Sequence, residues 1–415
     1  MSFDYATVPE RQDDASKGAT LTSRAETLQA AARLRAVVFE DQALATSLAA
    51  IFEPTAFIAR AAAHGIDRGG DELADLLGSA SAGPARLTAA DAATLPPPWG
   101  WLPLLVEPQG SIAEFQWAYL GDLRLTDPTY EQTLAQARFA PLNRLLGFRT
   151  PVADLPHWAA RLPPVRPSGL IFHMSRCGST LAAQMLAASP ANVVVSEASP
   201  IDAIVRLDRP MAERAALLRQ MIGVLGQTRQ AGETHCFLKL DCWHTLALPL
   251  FRAAFPDTPW VFLYRNPAEV MVSHLRQAGS QMIPQILPPD VYGIAWDSGA
   301  PREDYFARVL GAICGAAARA LPSGGGQLIN YDELPRAMRA KVLPHFGIAP
   351  TTADVSAMAH AARFDAKSPG ARFTSDAEVK RRATTDAVVS AVERHVAHHH
   401  AELERLRRAA GAPNS

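Results

Sequence analysis

Residues Gly169–Leu186 read GLIFHMSRCGSTLAAQML. The apolar run Leu170–Met174 has the make-up of a buried strand, a tight polar loop follows over Ser175–Ser179, and a helix begins near Thr180. A strand, a loop of small residues and a helix N-terminus form an anion cradle. The loop amides point inward, and the helix dipole adds partial positive charge at the same place. Arg176 puts a full charge in the middle of that loop.

The loop is defined as much by what it lacks. A Walker-type loop ends in Lys-Ser or Lys-Thr, with the lysine on the outer phosphates and the hydroxyl on magnesium. Here Gly178 is followed by Ser179 and Thr180, and the cation sits earlier, at Arg176. That disfavours magnesium-dependent ATP or GTP chemistry and makes a P-loop kinase the weaker alternative. By contrast, Ser175-Arg176-Cys177-Gly178-Ser179-Thr180-Leu181 resembles the 5′-phosphosulfate-binding loop of the sulfotransferase family, (K/R)-S-G-(T/S)-T. It departs from that pattern at Cys177, where the family usually has serine. The two side chains are nearly isosteric.

A second segment extends the resemblance. Trp260–Leu275 reads WVFLYRNPAEVMVSHL and is similar to the family's 3′-phosphate-binding segment, with Arg265 and Ser273 at the matching positions. At a strand's end, a guanidinium can grip phosphate as a bidentate fork. Asn266, Pro267 and Glu269 read as helix-capping residues instead. The resemblance spans about 168–382 and implies the P-loop-like α/β fold of that family. It also implies 3′-phosphoadenosine 5′-phosphosulfate as sulfuryl donor, the 3′,5′-bisphosphate as product, and no need for a metal.

The chain pattern agrees with that fold class. Candidate strands at Leu170–Met174, Asn192–Ser196, Cys236–Leu240, Trp260–Tyr264 and Gln327–Tyr331 alternate with helices near Leu181–Ala188, Ile201–Leu207, Met211–Arg229, Leu246–Phe255 and Pro267–Ala278. Short apolar strands alternating with helices imply a parallel sheet covered on both faces. In such sheets ligands gather at the carboxyl ends of the strands. Four of the predicted strands end in polar or charged residues: Ser175-Arg176, Glu197, Lys239 to Asp241, and Arg265.

Sulfuryl transfer needs cations and amides on the leaving phosphate and a base for the acceptor hydroxyl. Arg176 suits the first role. For the base, SEASPIDAIV resembles the segment that carries the catalytic glutamate in the tyrosylprotein-type branch of the family, which points to Glu197. His244 is the alternative, and His173 reads as a strand residue. Lys239 either bridges to donor or acceptor, or pairs with Asp241. A late basic segment commonly closes over the 3′-phosphate in this family. Ser368–Arg382 offers Arg372, Lys380 and Arg381 for that role, or is a solvated charge run. The histidines at His395 and His398–His400 read as a solvated helix face, so no metal site is expected.

The chain has 415 residues, too many for one compact core, and a formal net charge of −1 that argues against a general nucleic-acid binder. No apolar run is long enough to span a membrane, the N-terminus lacks a signal-peptide layout, and the four cysteines show no CxxC spacing. These features point to a cytoplasmic protein with free thiols. The expected organisation is a disordered tail over 1–23, a helical region over 24–80, a Pro- and aromatic-rich linker or accessory domain over 81–167, and the α/β domain over 168–415. Part of the helical region, Ala36–Leu77, resembles leader-like helical domains of bacterial precursor peptides, or is a small bundle. The aromatics at Trp99, Trp101, Phe115, Trp117, Tyr119 and Tyr130 either form an acceptor platform or pin this region to its neighbour. The acceptor is a small molecule or a peptide. A non-catalytic protein that binds nucleotide and peptide on the same fold is the competing class, and the oligomeric state stays open.

Overall fold

The computed structural model describes residues 29–64, 77, 84–109, 112–284, 286, 291, 293–294, 299–365, 372 and 377–411. The expected tail over 1–23, most of the 65–80 part of the helical region, and 368–376 except Arg372 lie outside them.

Two sheets organise the described residues. The first has strands β1 (Ala85–Arg86), β2 (Trp101–Gln109), β3 (Ile112–Tyr119) and β4 (Phe148–Pro151), in the order β1-β4-β3-β2. β2 and β3 pair as an antiparallel hairpin, and β2 is an edge strand that can carry Pro103 and Pro108 without breaking a shared ladder. The second sheet holds β5 (Gly169–His173), β6 (Asn192–Ser196), β7 (His235–Lys239), β8 (Trp260–Tyr264) and β9 (Gly326–Asn330). Its order is β6-β7-β5-β8-β9, and every pairing is parallel. All residues of β5, β6 and β8 are buried, as a sheet covered on both faces requires.

This topology fixes where a ligand can sit. After β5 the chain winds toward β6 and β7, then crosses to β8 and β9 on the other side of β5. The winding therefore reverses between β5 and β8, and a crevice opens there at the carboxyl ends of the strands. The loop after β5 and Arg265 after β8 flank that crevice.

All five predicted strands are present, none displaced by more than one residue. Helices Ser179–Ala187, Ser199–Val205, Met211–Leu225, Leu248–Ala254 and Pro267–Arg276 match the predicted ones, with a 3-10 turn at Cys242–Ala247 before the fourth. The small sheet was not legible. Prolines, glutamates and glutamines interrupt its alternation, and the hairpin register shifts between Leu104 and Val106.

The aromatics of this region are core rather than platform. Trp101, Phe115, Trp117, Tyr119 and Tyr130 are buried. Trp117 stacks on Phe148 at 5.5 Å, and Phe39 of the N-terminal helix over 29–40 stacks on Trp101 at 5.2 Å. Trp99 donates its Nε1–H to the Thr228 carbonyl at 3.1 Å. The buried Gln227 side chain accepts from Gly100 N at 2.8 Å and donates to Trp101 O at 3.1 Å, joining the small sheet to the end of helix Met211–Leu225. Among the described residues no helix is long and apolar enough to cross a membrane.

The expected consequence is testable at Trp117, which is fully buried and donates to Thr150 Oγ1 at 2.9 Å. Trp117→Ala should lower unfolding stability by about 3–5 kcal/mol in urea denaturation. A loss below about 1 kcal/mol would mean that this cluster is not a packed core.

Candidate functional site

A cavity of about 490 Å³ opens at the crevice between β5 and β8. The candidate binding residues of the two anchor segments line it: Ser175, Arg176, Cys177, Gly178, Ser179, Thr180, Arg265 and Ser273, together with Glu197.

The loop is built from left-handed backbone. Ser175, Arg176 and Gly178 have φ of 77°, 49° and 85°, and the only other non-glycine residue with positive φ among the described residues is Glu197, at 52°. Three non-glycine residues in this conformation, all lining one cavity, make it the candidate functional site. Gly178 is needed twice over. Its φ disfavours a side chain, and a Cβ there would lie 2.9 Å from the Tyr331 ring and from Leu334. From Gly178 the helix Ser179–Ala187 starts, and its first amides lack intrahelical acceptors.

Side chains lock the turn. Ser175 N donates to His173 Nδ1 at 3.0 Å, and Ser175 Oγ accepts from Gln281 Nε2 at 2.8 Å. Arg176 donates to Gln277 O at 2.8 Å. Cys177 Sγ donates to Leu263 O on β8 at 3.1 Å. Burial pushes its thiol up to about 12, so it is inert.

At the ends of β6 and β7, Glu197 and Lys239 grip each other through both main and side chains. Glu197 N donates to Lys239 O at 2.7 Å, and Lys239 Nζ donates to Glu197 Oε1 at 2.6 Å. Lys239 thus pairs with Glu197 and not with Asp241. The lysine side chain is 2% exposed and the glutamate 25%. His173 Nε2 lies 3.4 Å from the same Oε1 and 2.9 Å from Leu240 O. Because His173 Nδ1 accepts the Ser175 amide, the ring proton sits on Nε2. Burial lowers the His173 pKa against the pull of Glu197, which keeps the ring neutral. Burial alone would raise the Glu197 carboxyl, but Lys239 and His173 outweigh it and hold it well below the ordinary carboxylate range. Asp241 moves the other way, raised by burial and by the Glu197 and Asp202 charges. Both protein contacts to Glu197 fall on Oε1, and among the described residues none reaches Oε2.

On the β8 side, Asn266 caps helix Pro267–Arg276 as expected, accepting from Ala268 N at 2.9 Å. Glu269 does something else. Its Oε2 accepts from Arg265 Nε at 2.7 Å, so it orients the arginine and is not a capping residue. The Arg265 guanidinium also lies 4.0 Å over the Tyr331 ring. Ser273 sits farther along the same helix and lines the same cavity.

Of the late basic residues, Lys380 is buried and lines the cavity, whereas Arg372 and Arg381 are exposed. His244, the alternative base, is buried outside the cavity lining. Its Nδ1 accepts from Asp241 N at 3.3 Å, and its Nε2 lies 3.0 Å from Asp202 Oδ1. Asp202, Asp241 and His244 are close enough to hold a metal among the described residues, but both imidazole nitrogens already serve hydrogen bonds. Of the late histidines only His398 is exposed: His395 and His399 pack against Gly311 and Gly315, and His400 lies against Tyr264. Sequence reasoning missed His173, Gln281 and Tyr331 as site residues. The strand-end rule applied to β9 points to Tyr331, whereas Gln281 sits in a short 3-10 turn with no sequence signal.

No protein-family model and no curated protein matches this sequence. Among solved structures it is similar to sulfotransferase STF9 from Mycobacterium avium, at 13% identity and a TM-score of 0.41, over 60% of this chain and 79% of that one. It is similar to the sulfotransferase domain from the curacin biosynthetic pathway, at 12% identity and a TM-score of 0.37, over 56% of this chain and 98% of that one. A sulfotransferase from Alicyclobacillus acidocaldarius aligns at 17% identity and a TM-score of 0.35, over 59% of this chain and 96% of that one.

The Glu197 ionisation depends on Lys239, which gives a pH prediction with a definite sign. A depressed carboxyl pKa stabilises the fold above the ordinary carboxylate range, and that contribution is lost as pH falls through the folded value. In Lys239→Met, burial acts with only His173 against it, so the Glu197 resonance in carbon NMR should titrate at higher pH than in the parent. An unchanged titration would show that the lysine does not set the charge.

Proposed function

We propose that this protein is a sulfotransferase, moving a sulfuryl group from 3′-phosphoadenosine 5′-phosphosulfate to a hydroxyl or amine of a small-molecule or peptide acceptor. One observation carries the reading: an ionised Glu197 faces a left-handed, arginine-bearing anion loop in a cavity that also holds Arg265 and Ser273. The cavity's 490 Å³ lies within the range of ordinary ligand sites. Its donor set fits the nucleotide: loop amides and Arg176 for the 5′ side, Arg265 and Ser273 for the 3′-phosphate, and Lys380 as a further cation. The four buried free thiols suit a reducing, cytoplasmic setting.

When bound, the donor supplies a sulfuryl group on a phosphate leaving group. Arg176 and the first amides of helix Ser179–Ala187 hold the negative charge that collects on that phosphate. Glu197 takes the acceptor's proton at Oε2, while Lys239 and His173 on Oε1 fix the carboxylate's orientation. A carboxylate held so low is a weak base. Proton transfer therefore runs late, once attack has made the acceptor hydroxyl acidic. Lys239 and neutral His173 are positioning residues, because each acts through Glu197.

Two substitutions separate binding from turnover. Arg265→Ala should weaken adenosine 3′,5′-bisphosphate binding at least about tenfold by calorimetry, the loss of one charge-assisted grip. Glu197→Gln should keep that binding and lose at least about a hundredfold in transfer of labelled sulfate. Undiminished transfer by Glu197→Gln would refute the base assignment. Absence of bisphosphate binding by the parent protein would refute the donor assignment, and binding without donor consumption would favour a non-catalytic binding protein.

A further inference from the structure

The C-terminal helix Ala397–Gly411 is tied to the carboxyl ends of β8 and β9. Tyr264 and Asn330 are register partners there, the last residues of the two strands. Both donate to Oε1 of Glu404 on that helix, Tyr264 Oη at 2.6 Å and Asn330 Nδ2 at 2.8 Å. Arg407 donates to the other oxygen, Oε2, at 2.8 Å and to Tyr264 Oη at 3.0 Å. Burial alone would raise the Glu404 carboxyl, but these three donors outweigh it and hold it at about 2. One ionised carboxylate thus joins two strand ends to the helix.

The tie bears on the residue after β9. Asn330 uses its other amide atom, Oδ1, to accept from Asp332 N at 3.1 Å, which caps the short turn Tyr331–Glu333. Glu333 closes the far side of that turn. Its Oε2 accepts from Asn330 N at 3.0 Å, and its Oε1 accepts from Arg407 Nη1 at 3.2 Å. The helix therefore holds the turn from both ends, Glu404 through Asn330 and Arg407 through Glu333. Tyr331 leads the turn and meets both halves of the donor cavity. The Arg265 guanidinium lies 4.0 Å over its ring, and a Cβ on Gly178 would meet the same ring at 2.9 Å.

Building on the donor reading, we infer that Glu404 and Arg407 are positioning residues for nucleotide binding, which act by fixing Tyr331 between the two phosphate grips. Neither residue lines the cavity, so their effect passes through the turn. Local sequence gives no sign of this role. The surrounding HHHAELERLRR has the make-up of a charged surface helix, and the partners of Glu404 lie 74 and 140 positions away.

Calorimetry with adenosine 3′,5′-bisphosphate on the full chain tests the inference. Glu404→Met removes the shared acceptor and should weaken binding about tenfold. Glu404→Gln keeps an oxygen for Tyr264 and Asn330, and should restore binding to within about threefold of the parent. Tyr331→Ala should itself cost about tenfold, and adding Glu404→Met to it should cost less than about twofold more. Arg407→Met leaves Glu404 in place, should weaken binding about threefold, and serves if Glu404→Met does not fold. A lowered melting temperature with unchanged affinity, or losses that add in the double variant, overturns the inference. A crystal structure of Glu404→Met or Arg407→Met without nucleotide separates it from the donor reading. The Tyr331 ring should shift away from Gly178 and Arg265, and an unmoved ring overturns the inference. If the ring shifts but the parent protein does not bind the bisphosphate, the donor reading falls and the placing of Tyr331 by the helix stands.

Discussion

The structure depends on one backbone constraint, the left-handed turn that carries the chain out of β5 and into helix Ser179–Ala187. β5 is buried between β7 and β8, so the chain can leave only at the strand's carboxyl end and must then fold back over the sheet. Ser175 and Arg176 take up positive φ to do this, at roughly 1–3 kcal/mol each for non-glycine residues. Four neighbours hold them there: His173 on the Ser175 amide, Gln281 on its hydroxyl, the Gln277 carbonyl on Arg176, and the Leu263 carbonyl on Cys177. Each of these contacts comes from the sheet or from the segment after β8. The cradle is therefore assembled by the same packing that places Arg265 across the crevice.

The electrostatics follow from that geometry. Two carboxyls lie at the ends of β6 and β7, and their surroundings drive them apart: Glu197 down, through Lys239 and His173, and Asp241 up, through burial among like charges. Such a split commonly separates a charged acid–base group from a neutral neighbour. Here it leaves one ionised carboxylate with a single oxygen committed to the protein. The neutral His173 links this carboxylate to the loop, since its two nitrogens contact the Ser175 amide on one side and lie near Glu197 on the other.

Much of this was legible from residue order. The five strands of the large sheet are continuous apolar runs, and the strand-end rule places Ser175, Glu197, Lys239 and Arg265 around one crevice because parallel strands all point the same way. Pairing was not legible. Lys239 has two acids within reach in sequence, and only the register of β6 against β7 selects Glu197 over Asp241. Glu269 looks like a capping residue by spacing, yet a neighbouring buried arginine competes successfully for its carboxylate. The small sheet escaped notice because its edge strand carries prolines and its aromatics pack with Phe39, far away in sequence. Long-range partners of that kind leave no local periodicity.

The central claim is that the β5 turn and the β8 arginine form two ends of one nucleotide site. A crystal structure of the protein with adenosine 3′,5′-bisphosphate tests it most directly. The 5′-phosphate should sit on the amides of residues 177–180 beside Arg176, and the 3′-phosphate should sit on Arg265 and Ser273. A nucleotide bound elsewhere, or in this cavity with neither phosphate on those groups, would contradict the account.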